Sequence, residues 1–173
     1  NLGTLDLVSG NFLLQTGNWQ NTPSGVVKVA SGSAFGLAHV SFTGGQILNQ
    51  GLVRQYGGSA VVGAGVQING AWQLDAGRMT VQGQHRMESL VHSAMLTVEG
   101  ALNVGSLVFN NGAKLGTSYI PGGSVINVEG QASFDGTSTL DVNYGHTLNL
   151  GGNATWTAGN GRLVIASGFN AGM

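Results

Sequence analysis

Apolar and polar residues alternate along this chain in very short bursts, each bounded by Gly, Asn or Ser. The bursts run Leu5-x-Leu7, Phe12-x-Leu14, Val27-x-Val29, Val40-x-Phe42, Ile47-Leu48, Val66-x-Ile68, Trp72-x-Leu74 and Met79-x-Val81. They continue as Leu96-x-Val98, Leu102-x-Val104, Leu107-x-Phe109, Ile126-x-Val128, Leu140-x-Val142, Leu148-x-Leu150 and Leu163-x-Ile165. A period of two is the signature of strands with one buried face. Helical spacing is nearly absent. The stretch from His85 to Met95, which holds Arg86 and Glu88, is the one that reads as a helical turn. A loop or short helical insertion is therefore expected at 84–94, within a single domain spanning 1–173.

The breaks fall every six to twelve residues and include Asn69-Gly70, Asn111-Gly112, Asp135-Gly136, Gly44-Gly45, Gly57-Gly58, Gly122-Gly123 and Gly151-Gly152. Such residues supply the positive φ that sharp corners need. Antiparallel hairpins in a sandwich or barrel use this pattern, and so does a solenoid that stacks its strands in parallel from coil to coil. Three features favour the solenoid. The strands are too many and too short for one sandwich. Phrases recur, as in Gly45-Gln-Ile-Leu-Asn-Gln-Gly-Leu-Val53, Gly65-Val-Gln-Ile-Asn-Gly-Ala-Trp72 and Gly100-Ala-Leu-Asn-Val-Gly-Ser-Leu107. Charge is scarce, which suits stacked rungs, because a repeated charge would face its own kind one rung away. Asn recurring at corners can instead form hydrogen-bonded ladders. The expected fold is all-β: a single-stranded parallel β-helix of about seven to eight coils, with roughly 20–25 residues per coil.

The phrases Gly45–Val53, Leu96–Phe109 and Ser124–Leu150 resemble the passenger repeats of bacterial β-helical adhesins, the autotransporter and filamentous-haemagglutinin-like exoproteins. The resemblance covers most of the chain in style and carries over no functional residue. It implies export, a right-handed β-helix and an extracellular or cell-surface life.

Composition narrows the function classes. Charged residues are 8% of the 173 and Gly contributes 31, against roughly 25% and 7% in ordinary domains. The hydrophobic share of 42% is enough to build a core. The cations Lys28, Arg54, Arg78, Arg86, Lys114 and Arg162 are scattered, so no basic stripe is read and nucleic acid is not an expected partner. No apolar run reaches the ~20 residues of a membrane span. Without cysteine there is no disulfide, thiolate or Cys-based metal site. The opening at Asn1, with no Met or signal core, reads as a processed or excised piece.

Several constellations bear on chemistry. Of the acids, Asp75 with Glu99, or Glu99 with Glu129, lie about one coil apart, and paired carboxylates cleave glycosides. Isolated acids at turns are the better reading of all seven. His85, Glu88 and His92 would make a metal site only if a helix brought them to one face. The chain has no G-x-S-x-G elbow and no Asp-rich calcium nonapeptide. Pieces such as Gly63-Ala-Gly65 lack the lysine and the strand-to-helix context of a phosphate loop. The pairs Thr137/Thr139 and Thr155/Thr157 are too isolated for an ice-binding array, and Asn153-Ala-Thr155 fits a glycosylation acceptor. Aromatics are the remaining ligand candidates: Trp19, Trp72, Trp156 and Tyr144, with Tyr56 and Tyr119, would stack on sugars if exposed, against the alternative of core packing. The expected function is a non-enzymatic extracellular structural or adhesive solenoid without cofactor or metal, a homo-oligomer or fibre through its ends, with a surface glycan as the other partner. The alternatives are a β-helical polysaccharide-degrading enzyme and a carbohydrate-binding module, for instance associated with a phage tail.

Overall fold

A computed structural model describes residues 1–15, 19–110, 112–115, 123–142, 146–157 and 159–165. Every regular element among them is a β-strand, and every pairing between strands is parallel. The strands form three columns. The first begins β1 (Thr4–Leu7), β4 (Val26–Val29), β7 (Gly45–Asn49) and β10 (Val66–Ile68). The second begins β2 (Asn11–Leu14), β5 (Ala34–Leu37), β8 (Leu52–Gln55) and β11 (Ala71–Leu74), and the third begins β3 (Trp19–Asn21), β6 (Val40–Phe42) and β9 (Ser59–Val62). Two long strands, β12 (Arg78–His92) and β13 (Met95–Phe109), bend round the corners and contribute a segment to every column. Beneath them the first column continues as β15 (Val125–Val128) and β18 (Thr147–Leu150), and the second as β16 (Ala132–Phe134) and β19 (Ala154–Trp156). The third continues as β14 (Lys114–Leu115), β17 (Thr139–Val142) and β20 (Arg162–Ile165).

The second column shows the repeat directly. Phe12, Phe35, Val53, Trp72, Leu90, Leu107, Ala132 and Ala154 stand in register, one per rung, through about seven turns. Three walls therefore enclose one core, and the chain is a β-solenoid. Turn length differs from the expected 20–25 residues. It is 23 between Phe12 and Phe35, drops to 17–19 through Val53, Trp72, Leu90 and Leu107, and returns to 25 and 22 below. In the two turns that end at Leu90 and Leu107, β12 and β13 pass corners as continuous strand.

The loop or helix expected at 84–94 is not there: residues 84–92 lie in β12, paired in register with β13 from Gln84↔Ala101 to His92↔Phe109. The alternation in β12 is real but changes phase at its corners. Met79 and Val81 face inward, then His85 and Met87, then Leu90 and His92. Two of those inward positions hold histidine, so the apolar rhythm disappears from the sequence while the strand persists.

Glycines at the corners let backbones stack. Gly100 has φ +147, and a Cβ there would lie 2.1 Å from the carbonyl oxygen of Gly83 on the rung above. Lower down, a Cβ on Gly130 would meet the Gly105 carbonyl oxygen at 2.5 Å. No side chain fits between carbonyls at ~4.8 Å rung spacing.

Inside, apolar side chains form continuous stacks, with Phe35, Ile47, Trp72, Leu74, Met79, Leu90 and Leu102 essentially fully buried. Burying each large side chain contributes about 1.5–3 kcal/mol. The ring stack His92, Phe109, Phe134 and Trp156 runs down one corner of the core with centroids 4.9, 5.3 and 5.2 Å apart. Buried polar groups serve the corners. Asn21 Nδ2 donates to the carbonyls of Gly25 and Gly44, and Asn49 Nδ2 donates to that of Ala71 at 2.7 Å.

His92 is a buried group whose charge matters to the fold. Its Nε2–H donates to the Lys114 carbonyl at 3.0 Å and its Nδ1 accepts from the Ala94 amide, so the neutral ring is the one that fits. Desolvation pulls its pKa down from 6.5 to about 4, against the smaller effect of the Lys114 bond. The unfolded chain thus binds a proton that the folded chain excludes. The associated stability is fully present above pH 6.5 and is lost as pH falls towards 4, amounting to about 3 kcal/mol. Urea unfolding at pH 7 and pH 4 is expected to show that loss, and His92→Leu is expected to flatten it.

Candidate interaction surfaces

The walls and the ends are the places where this molecule can meet a partner. On the first wall Asn103, Asn127 and Asn149 sit in one column, and their side-chain amides bond rung to rung at 2.8 and 2.7 Å. The ladder expected at corners thus forms on a strand face. Beside it Arg86 grips Glu129 with both terminal nitrogens, and this bond holds the carboxyl of Glu129 below its ordinary range. Both groups are exposed, so the pair organises the wall more than it stabilises it. On the second wall Arg54 binds Asp75, Gln73 donates to the same carboxylate at 2.7 Å, and the guanidinium lies 4.7 Å from the Tyr56 ring centre.

The acids weighed for glycoside cleavage are kept apart by the three-sided section. Asp75 follows β11 at the corner between the second and third walls. Glu99 ends the third-wall segment of β13, where Gln82 bonds it at 2.8 Å, and Glu129 follows β15 between the first and second walls. The arrangement needed for a His/Glu site fails for a related reason. In an extended strand His85 and His92 turn into the core while Glu88 faces out at a corner. Among the described residues, no group of three or more His, Asp and Glu side chains gathers to hold a metal ion.

One serine–histidine contact does form. Ser124 Oγ lies 2.6 Å from His146 Nδ1, over a cavity of about 10 Å³ lined by Val98, Leu115, Ile126, Thr147 and Leu148. That space has room for at most a single water, not a substrate.

The aromatic candidates divide. Trp72 is in the core at 1% exposure, with Nε1 donating to the Asn69 carbonyl, and so presents no face to a sugar. Its side chain is on the inward phase of β11, which removes it from the ligand candidates. Trp19 and Trp156 also point inward, but from the terminal rungs. Trp19 packs edge-on against Phe35 and Phe42, while Trp156 stacks on Phe134 and is 39% exposed. Tyr144 and Tyr119 lie outside the described residues.

Among the described residues, inward side chains of the terminal rungs are exposed. In the first rung Phe12, on the inward phase, is 39% exposed. In the last, Leu150 and Trp156 are 41% and 39% exposed, and with Phe134, Leu140, Leu148 and Ala154 they line an apolar recess of about 120 Å³. The sequence signals that marked the strands also mark these residues, but their exposure follows only from their rung.

No family model, curated protein or solved structure matches this chain. The fold itself defines its class, a β-helical repeat protein. Among the described residues no helix is long and apolar enough to cross a membrane.

Proposed function

We propose that this chain is a structural and adhesive rod of the extracellular or cell-surface kind, non-catalytic, whose ends take a further rung. The observation that carries the reading is the exposure of inward residues on the terminal rungs: among the described residues, Phe12, Leu150 and Trp156 keep two-fifths of their surface in water where interior rungs keep almost none. A parallel strand added to either end would bury them and would pair the free backbone groups of the terminal strands. For the 173-residue chain in isolation, a second copy supplies that rung. The charge-poor walls support the reading too, since stacked rods bring similar residues into line without repulsion. The passenger-repeat resemblance supports a surface location.

Sedimentation velocity over a hundredfold concentration range is expected to show assembly into end-to-end species, visible as filaments by negative-stain microscopy. Leu150→Asp with Phe12→Asp places charge on both end faces and is expected to leave monomers with unchanged far-UV circular dichroism. A parent chain that stays monomeric at the highest concentration would count against stacking.

A further inference from the structure

The third wall carries a pattern that the linear sequence hides. Arg78, Met95, Lys114, Thr139 and Arg162 occupy one register position on five successive rungs. A cation therefore recurs on every second rung, about 9.6 Å apart. Ser59 precedes Arg78 in the same row, and His39, one residue ahead of the Val40↔Ala60 pair, extends it. Half of the six Lys and Arg residues fall in this row, because 36 and 48 residues each equal two turns at that place in the stack. The scattered cations thus make the basic stripe that the sequence did not reveal.

We propose that this wall is a docking surface for a linear acidic polysaccharide bearing one carboxylate or sulfate per disaccharide, lying along the solenoid axis. Arg78 and Lys114 are exposed, and Arg78 Nε donates to Met95 Sδ at 3.1 Å, which lays the side chain along the row. Met95 stands between Arg78 and Lys114, and Thr80 on the Arg78 rung with Val61 and Ser41 on the two rungs above continue the wall, small or apolar groups against which sugar rings can rest. Most carboxylates near the wall are at its corners and engaged: Asp75 with Arg54 and Gln73, Glu99 with Gln82, Asp135 with Thr137 and Ser138. Asp141, two positions beyond Thr139 on β17, is a further acid within the wall's own strands. Charge spacing selects the polymer. Each strand of a nucleic-acid duplex repeats its phosphates every ~3.4 Å along the axis, far denser than the row, whereas an extended polysaccharide of alternating acidic and neutral sugars spaces its charges on the scale of two rungs. The inference concerns a side wall and stands whether or not the ends stack.

Calorimetric titration of the whole chain at low ionic strength with hyaluronan, neutral dextran and oligo(dT) tests it. Hyaluronan is expected to bind and to weaken with salt, while dextran does not bind and oligo(dT) binds less. Arg78→Gln with Lys114→Gln is expected to weaken hyaluronan binding roughly tenfold. Arg78→Lys with Lys114→Arg is expected to retain it, as is Arg54→Gln on the second wall. Equal binding by the charge-removed variant, equal binding of dextran, or tighter binding of oligo(dT) overturns the proposal.

Discussion

Gly100→Val is expected to cost about 4 kcal/mol or more and to open the stack at its middle. The Cβ would meet the Gly83 carbonyl oxygen at 2.1 Å, with the carbonyl carbon and amide nitrogen of Gly83 at 2.8 Å. All three are backbone atoms, so no side chain can swing aside. The φ of +147 adds strain for any L-residue. Valine otherwise suits a strand, which makes the sign of the effect informative. Gly3→Val is the matched control. A Cβ there meets nothing within 4 Å and φ is not positive, so a change within about 0.5 kcal/mol is expected. Urea unfolding followed by far-UV circular dichroism separates the two variants. A Gly100→Val chain as stable as its parent would mean that the corner backbones are not stacked as described.

Trp72→Ala ranks second, with an expected loss of about 3–5 kcal/mol. The ring is fully enclosed on the fourth rung of the second column, between Val53 and Leu90, and its indole N–H satisfies the Asn69 carbonyl at 3.0 Å. Truncation leaves a large cavity mid-stack and strands that carbonyl. Because each rung touches only its neighbours, the damage divides the solenoid into an upper and a lower block. Thermal melting should fall by roughly 10 °C, with a broader transition. Trp156→Ala, at the open end, is expected to cost under half as much. Equal losses at the two positions would contradict the assignment of one ring to the interior and the other to an end.

The period-two bursts were enough to read the solenoid, because inward positions such as Val27 and Val29 or Ile126 and Val128 are apolar and outward ones polar. Where inward positions are polar the reading failed. His85 and His92 broke the rhythm in β12, and that strand read as an insertion. Short strands were missed when one inward residue was small or polar, as with Ala60 in β9, Asn21 in β3 and Ala132 in β16. The Asn ladder was legible as a tendency but not in position. The basic row was not legible at all, since alignment of residues 36 and 48 apart depends on turn lengths that vary between 17 and 25. Likewise nothing in the sequence tells an inward Trp72 in the middle of the stack from an inward Trp156 at its end.

Pulsed electron–electron resonance between paired spin labels tests the register most directly, and the absence of cysteine makes the labelling clean. With one label fixed at Thr155→Cys on the last rung, partners at Gln73→Cys and Leu13→Cys stand four and seven rungs above it on the outward face of the second wall. The stacked solenoid predicts separations near 19 and 34 Å, differing by about 15 Å whatever the label tethers add. Two separations that are equal, or a Gln73 distance longer than the Leu13 distance, would contradict it.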